Sequence, residues 1–469
     1  MTVRRGPAAR ELVDLLGSYL HLDDDGHVWF TLAIAVSAYL DGDPLWGMLV
    51  GPSSSGKTEA IRALDGIAEH VDELTAPALL SWSGSKKRNQ PSQPVGLLTR
   101  IGTRGLLTVS DFSTVLATSD RGGRDQLFAL LRRAYDGEVT RDLGNAPEPL
   151  RWAGRLTMIA GVTPAIDNYS SHADQLGPRW LYYRLAARDT QTKRAVAQAA
   201  RRIADVERLR AEASELGREI VRDAVSEARR ITLPDDLTEP IDDMAIVVCY
   251  GRGAVPRNGY GRREIEGLAI IEEPGRVTKQ LAILARCLLS LGLDPDTAVK
   301  LCRRAALDSI PETRRLVLDL LADGSKYTAS EVGRLVGCSR FLARMTVEDL
   351  AAIGIVDPLF DEDDEDLPST APRPWALGDR DYLLLSTVLR APRYGIGNQD
   401  QEEVLVAKSG NPPPNTPQEI EETEAGTRTL PTLRAKQGHP SHTSRQADTA
   451  RGSPPPAEPD REIRREWSA

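Results

Sequence analysis

Short apolar runs alternate with turn residues from about residue 10 to residue 190 of the chain. The segments 45–50, 105–109 and 155–162 are mostly apolar and have the length of buried strands, and a helical pattern spans residues 124–135. Apolar runs of this length that alternate with helical patterns are typical of α/β proteins with a parallel sheet. We therefore predict an α/β fold for this part of the chain.

The pattern changes after residue 190. Residues 190–230 are rich in Ala, Arg and Glu with helical periodicity, which predicts one or two long solvated helices, and shorter helical patterns continue to about residue 321. A compact helical unit then extends to about residue 360, and the acidic run Asp361–Asp366 follows it. Beyond about residue 393 large apolar side chains are nearly absent. Because such a segment cannot bury enough surface to offset its ordering entropy, we predict a disordered tail.

Composition narrows the class of protein. Hydrophobic residues make up 41% of the 469 residues, and no apolar stretch approaches the roughly 18 residues that a membrane span needs. Acidic Glu11 and Asp14 stand where a signal peptide would have its apolar core. The four cysteines are far apart, so we expect buried, reduced thiols in a cytoplasmic protein without membrane association. A net charge of −9 restricts any DNA contact to local basic patches.

The segment 45–67 combines a strand pattern, a Gly-rich turn and a helix pattern. The apolar run LWGMLV leads directly into GPSSSGKT, and EAIRALDGI continues with helical periodicity. In that context the turn indicates a Walker A P-loop, whose backbone N–H groups wrap the phosphates of a nucleotide. We expect Lys57 to reach the β- and γ-phosphates of ATP and Thr58 to bind Mg2+; the alternative is a chance match in a tight loop. The predicted nucleotide-binding residues are Gly51, Pro52, Ser53, Ser54, Ser55, Gly56, Lys57 and Thr58.

A carboxylate at the end of a neighbouring strand is the second part that such a site needs. The run GLLTVSDF is apolar and ends in Asp111, which we predict to order Mg2+ or to polarise the attacking water. The usual pair of acids is here Ser110 and Asp111, so one carboxylate serves where two are expected. Asp136 and Glu138 are weaker candidates for a second acid. The alternative is a buried strand with a capping Asp.

The order of the parts after Asp111 is distinctive. A helical pattern is followed by EVTRDLG, an Asn-Ala-Pro turn and PLRWAG, which predict a β-hairpin, and then by RLTMIAGVTP and LGPRWLYYRL. This order resembles the AAA+ helicase-like ATPases that carry a hairpin before sensor 1, the minichromosome-maintenance helicases among them, and more closely ATPases of phages and mobile elements. The resemblance covers about residues 25–300.

The resemblance implies roles for three further residues. Thr163 would occupy the sensor 1 position and contact the γ-phosphate or the attacking water. Arg179 would be the arginine finger supplied to a neighbouring subunit, and Arg276 resembles the beginning of a sensor 2 helix. Each arginine also has a structural interpretation, because Arg179 suits a surface ion pair and Arg276 suits an ordinary amphipathic helix.

Two polar segments of the same region suggest contact with nucleic acid. The segment 81–93 lies between predicted strands, and the resemblance places it in a loop that enters the central pore of a ring. Its basic residues are Lys86, Lys87 and Arg88. The hairpin carries Arg141 near its turn, with Arg151 beside Trp152, a combination suited to phosphate contact and base stacking. An ordinary solvated hairpin is the alternative.

A third indication comes from residues 313–357. They predict a helix, a second helix that begins at Thr328, a Gly-containing turn at 337–339 and a third helix from Arg340, which is the helix-turn-helix pattern. The apolar GIVD that follows resembles the entry to a wing. Arg340, Arg344 and Thr346 would lie on the exposed face of the recognition helix. Winged helices also dock proteins, so both uses stay open.

The predicted architecture is a P-loop AAA+ core with a parallel sheet and helical lid, then a small winged helix-turn-helix domain. The segments are an N-terminal helical segment (1–40), the ATPase core (41–189), a helical insert and lid (190–310), the winged helix (311–392) and a disordered tail (393–469). The predicted function is an ATP-driven motor of a mobile element that acts on single- or double-stranded DNA as a homo-oligomer such as a hexameric ring. A nucleotide-switched DNA-binding regulator with little turnover is the alternative, and Ser110 favours it.

Overall fold

The computed structural model describes residues 9–20, 22, 24–83, 93–144, 146–169, 179–185, 205–259, 263–359, 374–378 and 382–394. The helices within these ranges are α1 (Ala9–Tyr19), α2 (Gly26–Ser37), α3 (Lys57–Arg62), α4 (Ala76–Leu79), α5 (Leu97–Ile101), α6 (Ser113–Ala117), α7 (Arg121–Tyr135), α8 (Val206–Ala228), α9 (Asp235–Arg252), α10 (Gly275–Ser290), α11 (Pro295–Asp308), α12 (Glu312–Leu321), α13 (Ala329–Val336), α14 (Arg340–Ile353) and α15 (Tyr382–Arg390). A 3-10 helix spans Pro164–Tyr169. The strands are β1 (Trp46–Val50), β2 (Ala68–Val71), β3 (Ser81–Ser83), β4 (Gln93–Val95), β5 (Arg104–Val109), β6 (Glu138–Arg141), β7 (Leu150–Ala153), β8 (Arg155–Val162), β9 (Trp180–Arg184), β10 (Tyr327–Thr328), β11 (Val356–Pro358) and β12 (Pro374–Leu377).

Five strands form a parallel sheet in the order β2-β5-β8-β1-β9. The register places Trp46 of β1 opposite Met158 of β8 and Trp180 of β9. The predicted α/β class and parallel sheet are therefore confirmed. Because all five strands run in the same direction, their carboxyl ends share one edge of the sheet, which is the edge where open α/β sheets bind ligands.

Both faces of the sheet are covered, which explains why its strands are continuously apolar. Every residue of β1 and β8 is buried. On one face α2 packs against β1 and β8 and α3 packs against β8, and on the other face α7 packs against β8 and α5 against β5. The sheet is thus a rigid central layer from which the loops at its carboxyl edge project.

Residues 190–204 of the predicted solvated helices lie outside the described residues. Helix α8 lies against the core, so the prediction is wrong for one of its faces. Its buried side chains include Leu209, Ile220 and Val221. Gly217 permits the close approach, because a Cβ at this position would lie 2.2 Å from the carbonyl oxygen of Ala63. The guanidinium of Arg210 also binds the carboxylate of Glu59 in α3, with Nη2–Oε1 of 2.7 Å.

Three helices and a three-stranded antiparallel sheet follow the core. Helices α12, α13 and α14 pack together, and the sheet has the order β10-β12-β11. The predicted helix start at Thr328 is confirmed, since Thr328 and Glu331 form a reciprocal capping box. Gly337 ends α13 in the left-handed region (φ 80°), and the side chain of Ser339 caps α14. The acidic run Asp361–Asp366 falls between β11 and β12 and lies outside the described residues.

The last residues that the structure describes form hydrogen bonds with other parts of the chain. Arg393 and Tyr394, which the sequence assigned to the tail, bind Asp319 and Asp25; the Tyr394 hydroxyl donates to Asp25 at 2.5 Å. The rest of the predicted tail lies outside the described residues.

Two expectations from composition concern thiols and membrane spans. Cys249, Cys287 and Cys302 are free and buried, as expected, whereas Cys338 is free but only half-buried; burial raises the pKa of Cys249 and Cys287 to about 12. Over the ranges that the structure describes, every helix is too short or too polar to cross a membrane.

Candidate functional site

The loop Gly51–Thr58 follows the carboxyl end of β1 and includes Lys57 and Thr58, the first two residues of α3. Two of its residues have left-handed backbones, Ser54 with φ 63° and Gly56 with φ 94°. Departures of this kind from the usual backbone let successive N–H groups point to one side and form an anion-binding concavity. A residue that has a side chain, such as Ser54, is strained in the left-handed region. The surrounding loop therefore holds Ser54 in this conformation.

Gly51 holds the start of this loop against the sheet. Its N–H donates to the carbonyl of Val162 at 3.0 Å, and the N–H of Leu185 donates to Val50 at 2.8 Å. A Cβ on Gly51 would lie 2.9 Å from Oγ of Ser55 and 3.1 Å from Cβ of Leu185. A larger residue would therefore require Ser55 or Leu185 to shift.

Lys57 is a buried cation held by the loop itself. Its ammonium donates to the carbonyls of Gly51 at 2.6 Å and Pro52 at 2.7 Å and to Oγ of Ser55 at 3.3 Å. Burial lowers the pKa of Lys57, and the charge of Asp111 partly opposes that change. Asp111 is therefore close enough to the loop for its charge to act on the ammonium.

The ends of β1, β8 and β5 converge at one edge of the sheet. Because β8 lies between the other two strands, Thr163 stands between the loop and Asp111. The carbonyl of Val162 accepts from Gly51, and that of Gly161 accepts from Phe112 at 2.8 Å. Two consecutive carbonyls of β8 thus position both the loop Gly51–Thr58 and the turn that contains Asp111.

Ser113 connects Asp111 to Thr163. Oδ1 of Asp111 accepts from the N–H of Ser113 at 2.8 Å. The hydroxyl of Ser113 accepts from the N–H of Thr163 at 2.9 Å and donates to its Oγ1 at 3.2 Å. The residues predicted for catalysis at this edge, Asp111 and Thr163, are therefore neighbours.

The oxygen donors near the loop suit Mg2+ that arrives with a nucleotide. Among the described residues no three His, Cys, Asp or Glu side chains lie close enough together to hold a metal ion by themselves. Thr58 and Asp111 are both exposed at this edge. Mg2+ usually keeps several waters and takes one or two protein oxygens plus substrate phosphates, a set that these residues fit.

Arg179 and Asp136 lie at the opposite edge of the sheet. Arg179 precedes β9, whose first residue is paired with the first residue of β1. Nη2 of Arg179 lies 3.3 Å from Oδ1 of Asp136, and its guanidinium carbon lies 5.4 Å from the centre of the Tyr135 ring. Glu138 pairs with Ala153, directly before the amino end of β8. Asp136 and Glu138 are therefore ruled out as a second acid for the loop of their own chain.

Arg276 lies on the same side as Arg179. Burial raises the pKa of Tyr135 to about 12, and the positive charges of Arg276 and Arg179 oppose that rise. Gln280, one turn further along α10, donates to the carbonyl of Arg179 at 2.6 Å. Within one chain neither arginine reaches the loop Gly51–Thr58, so the roles that the resemblance implies require a second subunit.

The predicted hairpin is confirmed by the pairing of β6 with β7, but two of its side chains point inward. Arg141 donates to the carbonyl of Ala76 at 2.9 Å and also to that of Leu80, so it caps the short helix α4. Trp152 is buried, and its Nε1 donates to the carbonyl of Gly102 at 2.6 Å. The expectation that Arg141 binds phosphate and Trp152 stacks on bases is wrong for this conformation, because backbone carbonyls already bind both groups.

The basic loop itself lies outside the described residues, but its ends are visible. Lys86, Lys87 and Arg88 all fall between β3 and β4, which pair antiparallel with Ser83 opposite Gln93. The two ends of the segment are therefore held side by side.

Helix α14 exposes a mixed surface at its amino end. Arg340 is exposed, and Arg344 pairs with Glu348 at 3.5 Å while its guanidinium lies over the ring of Phe341. Phe341 and Leu342 are 46% and 41% exposed. Thr346 is buried and donates to the carbonyl of Leu342, so its predicted place on the exposed face is wrong.

Sequence reasoning missed the polar partners of the strand ends. Arg184 donates to both oxygens of Asp167, at 2.7 and 2.8 Å, and to the carbonyl of Asp308 at 2.8 Å. Burial acts against the charge of Arg184, but the hydrogen bond and charge of Asp167 outweigh it and raise the pKa of the guanidinium. A second contact of this kind, between residues distant in the sequence, joins Nε2 of His70 to Oγ of Ser110 at 2.9 Å. No local pattern signals these pairs, since their members are far apart in the sequence.

No protein-family model matches the chain, and a search of curated proteins returned no match.

Proposed function

We propose that the chain binds ATP with Mg2+ at the loop Gly51–Thr58 and hydrolyses it as an AAA+-type ATPase. One observation carries this proposal: β8 lies between β1 and β5, which brings Thr163 between the loop and Asp111 at the carboxyl edge of the sheet. A phosphate loop, a polar hydroxyl and a carboxylate in that order suit a transferring phosphoryl group and an attacking water.

Each residue has a distinct part in the proposed reaction. Lys57 exchanges its carbonyl partners for β- and γ-phosphate oxygens, and Thr58 offers its hydroxyl to Mg2+, which neutralises phosphate charge when bound. Asp111 orients the attacking water and accepts its proton, and Thr163 donates its hydroxyl to a γ-phosphate oxygen. Phosphoryl transfer depends mainly on such positioning and charge stabilisation, so a few fixed groups suffice.

We also propose that the active form is a ring of identical subunits. The loop lies at the carboxyl edge of the sheet, whereas Arg179 and Arg276 lie at the amino edge. Two different surfaces that meet head to tail form a heterologous contact, which closes into a ring when the rotation allows. In that arrangement the amino edge of one subunit offers its arginines to the loop of the next.

We propose that the motor acts on DNA and that residues 311–392 fold as a winged helix. The proposed setting of this activity is a phage or another mobile element. The support is the basic sequence of Lys86, Lys87 and Arg88 between two paired strands, together with exposed Arg340. These cations would contact backbone phosphates without reading sequence.

A second candidate function is a nucleotide-switched regulator with slow turnover. Ser110 favours it, because a neutral hydroxyl stands where a second acid would assist hydrolysis. The amino end of α14 also favours it, since exposed Phe341 and Leu342 beside Arg340 suit docking to a protein as well as to DNA.

The two functions differ in their response to DNA. We expect ATP turnover by the full chain to rise when single-stranded DNA is added, with Lys57→Ala as the inactive control. Nucleotide binding in calorimetry with negligible turnover in either condition would favour the regulator. Failure of the wild-type chain to bind any adenine nucleotide would refute both functions.

A further inference from the structure

A line of three polar side chains crosses from β2 to the end of β5. Nδ1 of His70 lies 2.9 Å from Oγ1 of Thr108, and Nε2 of His70 lies 2.9 Å from Oγ of Ser110. The hydroxyl of Thr108 lies 3.4 Å from the carbonyl oxygen of Glu69. Asp72 is the nearest carboxylate to Nε2, but at 3.6 Å it is beyond ordinary hydrogen-bond distance.

One arrangement of protons makes all three contacts hydrogen bonds when the imidazole is neutral. The carbonyl of Glu69 can only accept, so the hydroxyl of Thr108 donates to it and accepts from Nδ1–H of His70. Nε2 then has a free lone pair and accepts the hydroxyl proton of Ser110. The oxygen of Ser110 is left with its lone pairs available to a further donor.

Ser110 and helix α3 both lie beside Gly161 of β8. Leu106, which shares a face of β5 with Thr108 and Ser110 by the alternation of strand side chains, packs in one cluster with Ile61 of α3. A Cβ on Gly161 would lie 2.5 Å from the carbonyl oxygen of Ser110 and 3.8 Å from Cδ1 of Ile61. The backbone of Ser110 and the side chain of Ile61 are therefore neighbours of the same glycine.

We propose that Ser110, held by His70 and Thr108, accepts a hydrogen bond from a water of the Mg2+ that the nucleotide carries, in place of a second carboxylate. This inference rests on the proposed function. Ser110 would contact the hydrated ion, and His70 and Thr108 would act through Ser110 as positioning residues. A neutral acceptor binds such a water more weakly than a carboxylate does, since hydrogen bonds to charged groups are stronger.

The prediction concerns how much Mg2+ improves nucleotide binding. The quantity to measure is the ratio of the ADP Kd in EDTA to the ADP Kd in excess Mg2+, by calorimetry at one pH above the range in which imidazoles protonate. We expect Ser110→Ala to lower this ratio by about two- to tenfold, the equivalent of one neutral hydrogen bond. Ser110→Asp should raise the ratio above that of wild type.

The positioning residues provide the discriminating variants. His70→Phe should lower the ratio as Ser110→Ala does, because the hydroxyl proton of Ser110 is no longer drawn away from the site. His70→Gln, whose amide can still accept that proton, should retain most of the wild-type ratio. Asp72→Asn is the matched control beside the same imidazole and should leave the ratio unchanged. The ADP affinity in EDTA should be the same for all variants.

The outcomes separate this inference from the proposed function. A wild-type ratio in Ser110→Ala, with ADP still bound, would overturn the role of Ser110 and leave the proposed function standing. An equal loss of ADP affinity with and without Mg2+ in Ser110→Ala and His70→Phe would show a structural role only and would likewise overturn the inference. A wild-type chain that binds no ADP would overturn both.

Discussion

The guanidinium of Arg179 donates to the carboxylate of Asp136, with 3.3 Å between Nη2 and Oδ1, at the edge of the sheet opposite the loop Gly51–Thr58. The ring of Tyr135 lies against the same guanidinium. Arg179 therefore has a fixed position within one chain, and any action on ATP must be on the ATP of a neighbour.

A trans role for Arg179 can be tested with mixed subunits. A guanidinium that stabilises the transferring phosphoryl group is worth about 10³–10⁵ in rate in GTPases, so Arg179→Ala should lose most turnover. Mixing Arg179→Ala with Lys57→Ala subunits should restore part of it, because each supplies what the other lacks at one interface. Wild-type specific activity should also rise with protein concentration. Concentration-independent turnover without rescue would refute the ring.

Lys57→Ala should abolish nucleotide binding. The substitution removes the ammonium that donates to the loop carbonyls and would bind the β- and γ-phosphates. We expect the ATP affinity measured by calorimetry without Mg2+ to fall by at least about a hundredfold, since charge-assisted hydrogen bonds to two phosphates are lost. Lys279→Ala, which removes a cation from an exposed pair with Asp43, is the control and should bind as wild type does. Wild-type affinity in Lys57→Ala would show that the site lies elsewhere.

Asp111→Asn should separate binding from turnover. The amide keeps the shape of the side chain and its acceptor for the N–H of Ser113, but it cannot take a proton from water. We expect a hundredfold or larger loss of turnover, within the range of about 10²–10⁴ for general base catalysis, and an unchanged ADP affinity without Mg2+. Substantial residual hydrolysis would mean that another group accepts the proton.

The basic loop and Arg141 should behave differently in DNA binding. Joint replacement of Lys86, Lys87 and Arg88 by Ala should lower the salt dependence of single-strand binding by about 0.7 per lost phosphate contact. Arg141→Ala should leave that slope unchanged, because its guanidinium binds backbone carbonyls of α4. It should instead lower the free energy of unfolding by about 1–3 kcal/mol, since those carbonyls lose their donor. The reverse result would show that Arg141 is turned outward on DNA.

The buried pair of Arg184 and Asp167 should stabilise the fold. Their side chains are 7% and 22% exposed, and Asp167 also accepts from the N–H of Glu312 at 3.3 Å. Removing one partner of a buried pair costs about 3–5 kcal/mol, so Asp167→Ala should lower the urea midpoint markedly. Asp43→Ala breaks the exposed pair with Lys279 and should cost at most about 1 kcal/mol. Equal midpoints would contradict the contribution of the buried pair.

The sequence by itself determined the parts whose signals are local. Apolar runs located β1, β5 and β8, and the Gly-rich turn located the loop between β1 and α3, because backbone conformation there depends on neighbouring residue types. The capping box at Thr328 and the left-handed Gly337 marked the ends of α13 for the same reason. The sequence also placed Asp111 at a strand end, because the run 105–109 that precedes it already has the length of a buried strand.

Only the tertiary structure decided which of these parts meet. The order of strands in a sheet follows from long-range packing, so no local pattern revealed that β8 would bring Thr163 between the loop and Asp111. The partners of arginines depend in the same way on which carbonyls and carboxylates the fold brings close, as Arg141 and Arg179 demonstrate. The sequence showed that Ser110 stands where an acid is expected, but the contact of Ser110 with His70 forms only when β2 and β5 pair.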